Sequence, residues 1–352
     1  MNIVTLDESL MRRWILERKG KRGISFLRHE DCLAQYLARV IDIQTEVLNP
    51  NDTWGTHVAY HFKKHHQNSV SVLMLSDLDT ARWSLFDSAL FGRKKNMLKW
   101  PLHYLKDLYE RWYMASQDCI VVLNTRTVGL VKKYLGRKAT VVRSGIDTAL
   151  FPFTTHQLPV KGKPVRLLSH GIFYMHRRYE DTLRAVKLLR DVGHNVTLDI
   201  VGDFSVRQVS SDYYQKILTM IDTLRLTEYV TMHGRVSDAK LGQLYSECHV
   251  FVSAAHMQTW GLAVFEALAS GLPVALSETI GAAEVLENGK TAMFFLPGNP
   301  ESQAKAIEVL MTDSDKYQAI SVSGSDFVRG TLSREKYGEA MLEIFKQAVN
   351  AR

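Results

Sequence analysis
From residue 166 onward, short β-rich runs alternate with longer amphipathic stretches. The runs are Arg166–Gly171, Val196–Asp203, Val230–Gly234, Val250–Ala255, Pro273–Glu278 and Ala292–Pro297, and between them lie helical patterns at 180–192, 211–225, 237–247 and 301–312. A connection long enough to hold a helix returns the next strand parallel to the last, so this order predicts a parallel sheet with helices on both faces. The first half repeats the theme less cleanly, with strands expected at Asn2–Leu6, Ile24–Arg28, Ile41–Leu48, Val70–Ser76, Cys119–Asn124 and Thr140–Ser144. The expectation is α/β, two doubly wound domains of similar size, 1–155 and 160–330. Pro152, Pro159, Gly162 and Pro164 interrupt any regular element at the join near 152–164. A helix over 333–351, capped by Ser333, closes the chain and is expected to pack back on the first domain.

Composition removes several other classes. Hydrophobic residues make up 46% and charged residues 23% of the 352, a globular balance that excludes disorder and low-complexity architectures. No apolar run approaches the roughly 18–20 residues that span a bilayer, and the N-terminus lacks the pattern of a signal peptide. Three scattered cysteines, Cys32, Cys119 and Cys248, form neither a disulfide framework nor a four-cysteine zinc site and fit a reducing, cytoplasmic setting. Residues 1–150 carry 23 Lys and Arg against 15 Asp and Glu, an excess of eight in a chain whose net charge is +7. The basic half suits an anionic partner, an acidic lipid surface or a phosphorylated substrate. No zinc-finger or RNA-recognition signature is present, and nucleic acid is not expected as a partner.

Open α/β sheets bind ligands beyond the carboxyl ends of their strands, which draws attention to Val250–Glu284. A strand leads through a loop to Trp260-Gly261-Leu262, which opens a helix running through Glu266. Glu266 is the only charged residue between Gln258 and Glu278. A carboxylate in so apolar a helix needs a partner, because burying it unpaired is costly. The vicinal hydroxyls of a ribose could occupy both its oxygens, or it could pair within the protein. Gly261 at the helix mouth permits close backbone approach, and the free N–H groups there favour a phosphate.

These residues resemble the donor-site signature of retaining glycosyltransferases with the GT-B fold, specifically family four (group 1). That signature is Glu-x7-Glu, and here it reads Gln258-Thr-Trp-Gly-Leu-Ala-Val-Phe-Glu266. The second acid matches Glu266, while the first is replaced by Gln258, which can hydrogen-bond a sugar hydroxyl but cannot act as a base. Other segments are similar in the same order. Val141–Phe151 resembles the interdomain segment. His170-Gly171-Ile172-Phe-Tyr-Met-His-Arg177-Arg178 resembles the phosphate loop, with Ile172 where the family has arginine. Val201–Phe204 resembles a strand end, Leu226–Tyr245 the region of the nucleotide base, and Gly281–Glu284 a glycine-rich turn.

In the first half the departures are larger. Met1–Glu8 lacks the family's glycine-rich loop, which leaves open a compact variant or a start further upstream. Ser76 stands where the family keeps a histidine, with Asp77 beside it as a candidate for a sugar hydroxyl. His57, His61 and His65 recur every four residues and could share a helix face; they are read as solvated rather than as metal ligands. Residues 92–106 interleave basic and apolar side chains, as does the stretch around Leu10, Met11, Trp14 and Ile15, a pattern suited to an anionic membrane surface.

The resemblance implies two Rossmann-like domains facing across a cleft, the first holding the acceptor and the second a nucleotide-sugar. It implies transfer with retention to an unidentified acceptor, lipid-linked or polysaccharide, in building the cell envelope, by a protein on the inner face of the membrane. No cofactor and no metal are expected. Glu266, Gln258 and Asp77 are the expected catalytic residues. The donor would be bound by Arg177, Arg178, Gly171, Gly234, Arg235, Val236, Gly261 and Leu262. The alternative is a non-catalytic GT-B partner or scaffold protein with a degenerate site.

Overall fold
The structure is a computed structural model that describes residues 24–39, 41–51, 53–76, 100–205, 208–256 and 258–352. Two compact units emerge. The second is Arg143–Gly338, and Glu339–Arg352 is counted with the first.

The first unit alternates α1 (Ile24–Ala38), β1 (Val47–Leu48), α2 (Thr53–His65), β2 (Val70–Leu75), α3 (Trp100–Ala115), β3 (Cys119–Val122), α4 (Thr125–Leu135) and β4 (Thr140–Val141). Its strands form one parallel sheet in the order β1-β2-β3-β4. All six residues of β2 are buried, as expected for a strand covered on both faces. Ile24–Arg28, expected as a strand, instead begins α1. A five-residue apolar run has no decisive period of its own, and the continuation settles it: Ala34, Leu37 and Ala38 recur at helical spacing and are buried. The strand expected over Ile41–Leu48 shrinks to its last two residues. Asp42 bends the chain ahead of it, its carboxylate accepting from the Gln44 N–H (2.9 Å) and its carbonyl from the Thr45 N–H (3.0 Å).

The histidines of α2 are a second correction. His57 and His61 are buried and only His65 is exposed. His57 stacks on Tyr113 of α3, ring centroids 3.8 Å apart. His61 Nε2 lies 2.7 Å from Asp31 Oδ1 on α1, and that oxygen also accepts from the Tyr113 hydroxyl at 2.7 Å. The four-residue repeat thus marks the face of α2 that packs against α1 and α3.

The second unit contains β5 (Val165–His170), α5 (Tyr179–Asp191), β6 (Val196–Val201), α6 (Gln208–Thr223), β7 (Val230–Gly234), α7 (Asp238–Glu247), β8 (Val250–Ser253), α8 (Leu262–Ala269), β9 (Val274–Ser277), β10 (Met293–Phe295), α9 (Pro300–Thr312) and α10 (Ser314–Thr331). The last helix, α11, is Arg334–Asn350, and the Lys336 N–H donates to the Ser333 hydroxyl at its start. The six strands are parallel, in the order β10-β9-β8-β5-β6-β7. Four of them, β6, β8, β9 and β10, run two or three positions shorter than the apolar stretches that announced them, whose outer residues belong to the adjoining loops. The core is apolar on both faces, built from residues such as Leu167, Leu183, Leu198, Ile217, Val252 and Ile307. Phe151–His156 is pinned to the end of α8. The Thr154 N–H donates to the Ser270 carbonyl (3.0 Å), and Arg329 donates to the carbonyls of Phe151 (2.6 Å) and Ala269 (2.9 Å).

The strand order fixes where a ligand can sit. β5 pairs with β6 on one side and β8 on the other. The chain leaves β5 in one direction through β6 and β7, then returns to the other side for β8, β9 and β10. Loops after β5 and β8 therefore diverge and leave a crevice at their carboxyl ends.

Candidate active site
Glu266 sits one turn inside α8, the helix that follows β8, and it is half-buried. Its Oε2 accepts from the Tyr245 hydroxyl at 3.0 Å. Among the described residues its other oxygen, Oε1, receives no hydrogen bond. Burial pushes the Glu266 carboxyl above the usual carboxylate range, opposed by the Tyr245 hydrogen bond and reinforced by Asp238. Tyr245 comes from α7, is fully buried, and lies 3.4 Å from Nδ1 of His170 at the end of β5. Three elements from either side of the switch point thus converge on one carboxyl group.

The loop after β5 supplies the cation. Arg177 Nε is buried and, among the described residues, has no hydrogen-bond partner. A Cβ on Gly171 would come within 3.1 Å of the Arg177 guanidinium, so the side chain lies back across the strand end. Burial, with the Arg177 charge adding to it, drives His170 down to about 4 and His176 to about 3. Both imidazoles are neutral near pH 7. Arg178 is differently placed: its guanidinium grips Asp181 with two hydrogen bonds of 2.8 and 2.9 Å and reaches Glu180 at 3.3 Å. Both acids are buried, so Arg178 neutralises the start of α5 and is not free to hold a ligand.

The loop after β8 closes the other wall. The His256 N–H donates to the His176 carbonyl at 2.6 Å, tying the two loops together. Gly261 has φ +93°, and a Cβ there would lie 2.8 Å from Ile280 Cγ2, so only glycine fits at this turn into α8. Among the described residues no side chain caps the helix there; the Val264 N–H donates to the Gly261 carbonyl at 2.9 Å, and the N–H groups ahead of it have no carbonyl one turn back within the helix. Leu262 is exposed at the mouth. Gln258 lies against Gly261, and its carbonyl accepts from the Gly281 N–H at 2.9 Å. Trp260 is buried, with Nε1 donating to the Ser144 carbonyl at 2.9 Å.

Gly234 ends β7 and Arg235 and Val236 follow it, three strand spacings from β8, or roughly 14 Å at ~4.8 Å per spacing. They join the site through a ledge of glycines. The Gly171 N–H donates to the Val201 carbonyl and the Gly202 N–H to the Gly234 carbonyl, each at 2.9 Å. A Cβ on Gly202 would fall 2.0 Å from the Gly171 carbonyl oxygen, so the ends of β5 and β6 can approach only through glycine. Arg235 is exposed and lies 3.9 Å from Asp203. Asp77 lies outside the described residues. Sequence reasoning passed over Tyr245 and His170 as functional side chains; their link to Glu266 crosses 21 and 96 positions, and no local pattern encodes it.

A family model, glycosyl transferases group 1, matches residues 152–326, the segment that contains this site. A glycogen synthase of Mycobacterium tuberculosis is 26% identical over 225 residues, 63% of this chain and 52% of that protein. A lipopolysaccharide core biosynthesis mannosyltransferase of Rhizobium leguminosarum is 23% identical over 67% of this chain and 66% of its own. The chain spans about half the length of the first of these relatives. Among solved structures, the sucrose-phosphate synthase of Thermosynechococcus elongatus superposes with a TM-score of 0.77 at 18% identity, covering 92% of this chain and 79% of that one. Anabaena Alr3699/HepE, solved with UDP-glucose, gives 0.73 at 15% identity over 91% and 82%. Residues 152–326 thus resemble the glycosyl transferases of group 1, and the fold of the chain is that of the GT-B glycosyltransferases.

Proposed function
We propose that the protein is a glycosyltransferase that takes a sugar from a nucleotide-sugar and transfers it with retention, giving an α-glycoside. The observation that carries this reading is Glu266 beside the switch point, one oxygen held by Tyr245 and the other without a partner among the described residues. Oε1 is suited to the hydroxyls of the nucleotide ribose. The diphosphate lies against the open start of α8 at Gly261 and Leu262 and takes the Arg177 guanidinium as its counter-charge. The turn Gly234–Val236 borders the base, and Gln258 hydrogen-bonds the sugar. Stabilising the departing diphosphate is the main catalytic task. The bond between the sugar's anomeric carbon and the phosphate oxygen breaks as the acceptor oxygen bonds to the same face, and the leaving phosphate takes the acceptor's proton. HepE, solved with UDP and with UDP-glucose, supports uridine nucleotides as first probes.

The acceptor reading is a lipid-linked or polysaccharide chain, supported by relatives named for lipopolysaccharide and capsular polysaccharide synthesis. A cytoplasmic protein on the inner membrane face fits the basic first half. No helix among the described residues is long and apolar enough to cross a membrane. On α3, Tyr104, Leu105, Leu108 and Trp112 are exposed while Asp107 and Glu110 are buried, an apolar outer stripe suited to the interface.

Calorimetric titration with nucleoside diphosphates and their sugar conjugates tests the reading. Binding that Glu266→Ala weakens at least tenfold, together with slow release of free sugar from the conjugate, is expected. Gln258 in place of an acid favours the second reading, a non-catalytic partner protein. Absence of binding to every member of the panel decides for it.

A further inference from the structure
Glu266 is a poor ribose ligand by itself. A carboxylate on a solvent-facing turn of an apolar helix rotates freely, and a buried one takes up a proton. The residues around it answer both problems. The titratable groups facing the carboxyl are Tyr245 and Asp238, both from α7, and, through Tyr245, His170 from β5. Tyr245 has one proton. It spends that proton on Glu266 Oε2 at 3.0 Å, so toward His170 Nδ1, 3.4 Å away, it can only accept. His170 then carries its hydrogen on Nδ1. The chain runs in one direction, His170 N–H to Tyr245 O–H to the Glu266 carboxylate, and each bond polarises the next. The Tyr245 ring is itself fixed, fully buried with Phe151 and Phe251 against it at centroid distances of 5.8 and 6.1 Å.

We propose that Tyr245 is the positioning residue of the nucleotide site, holding one oxygen of Glu266 so that the other is presented, ionised, to a ribose hydroxyl. This rests on the assignment of Glu266 to the ribose. It places the specificity of the site for a nucleoside over a bare diphosphate on a side chain that never touches the ligand. The phenol favours the charged carboxylate and the desolvation around it favours the neutral acid, so removing the hydroxyl leaves desolvation unopposed.

The test compares the full chain with Tyr245→Phe, which keeps the ring and its packing. UDP affinity is measured from pH 5 to 9, with UDP lacking both ribose hydroxyls as control. Binding of UDP by the unaltered protein weakens as pH falls through the raised Glu266 value. In Tyr245→Phe, affinity near neutral pH drops about tenfold, the cost of one hydrogen bond to a charged group. Its acid-side decline begins at higher pH, while the dideoxy nucleotide binds both proteins alike. Equal loss for both nucleotides, or an unmoved pH profile, overturns the positioning role. A protein whose UDP affinity is unaffected by removing the ribose hydroxyls overturns the Glu266 assignment itself, which is a separate failure.

Discussion

Arg178 and Arg177 adjoin in the chain, and their surroundings give the two guanidiniums different work. Arg178 is the counter-charge of Asp181 and Glu180, whose side chains are 3% and 5% exposed. Arg178→Ala leaves two buried acids short of a partner, and with the guanidinium itself one-third exposed the expected loss of stability is about 2–3 kcal/mol. Urea unfolding measures it. Among the described residues Arg177 pairs with no carboxylate, and its Nε has no partner. Arg177→Ala is therefore expected to leave the unfolding midpoint nearly unchanged while lowering affinity for a nucleoside diphosphate at least tenfold. The reverse pattern would exchange their roles.

At the scale of the element, α2 shows what a repeated residue type can mean. His57 is buried on Tyr113 with neither ring nitrogen partnered among the described residues, and burial drives it down to about 4. The sign follows from the neutral form being the one that fits. Its contribution to stability is complete above the ordinary value of about 6.5 and is lost as pH falls toward 4. The cost between pH 7 and pH 5 is about 2 kcal/mol. His57→Phe keeps the stacked shape and has nothing to protonate. Its urea midpoint is expected to be as high as the parent's at pH 7 and higher at pH 5. A parallel fall of both proteins over that range would show that other groups govern acid sensitivity.

For the whole molecule, the charge distribution and the outward stripe of α3 make one prediction. The protein is expected to sediment with vesicles containing acidic phospholipid and to be released as salt rises, since exposed charges are screened within about 10 Å at 0.1 M. Replacing Leu105, Leu108 and Trp112 together with serine should abolish sedimentation and leave nucleotide affinity unchanged. Retention of vesicle binding by that variant sinks the assignment of the stripe.

The sequence by itself determined the alternation of strand and helix, and with it the parallel sheet of the second unit, because a period of two giving way to a period of 3.6 is written locally. It also marked Gly261 and Glu266 as candidates, since a glycine at a helix mouth and a single acid in an apolar helix stand out among their immediate neighbours. Tertiary structure alone decided four things. It made Ile24–Arg28 a helix, because burial of Ala34, Leu37 and Ala38 outweighs the bias of a five-residue run. It turned His57 and His61 inward against Tyr113 and Asp31. It set Tyr245 and His170 on Glu266, and gave Arg178 but not Arg177 to Asp181. Each of these rests on contacts between side chains that the fold brings together, and the free energy of such a contact depends on what lies across space, which residue spacing along a chain does not encode.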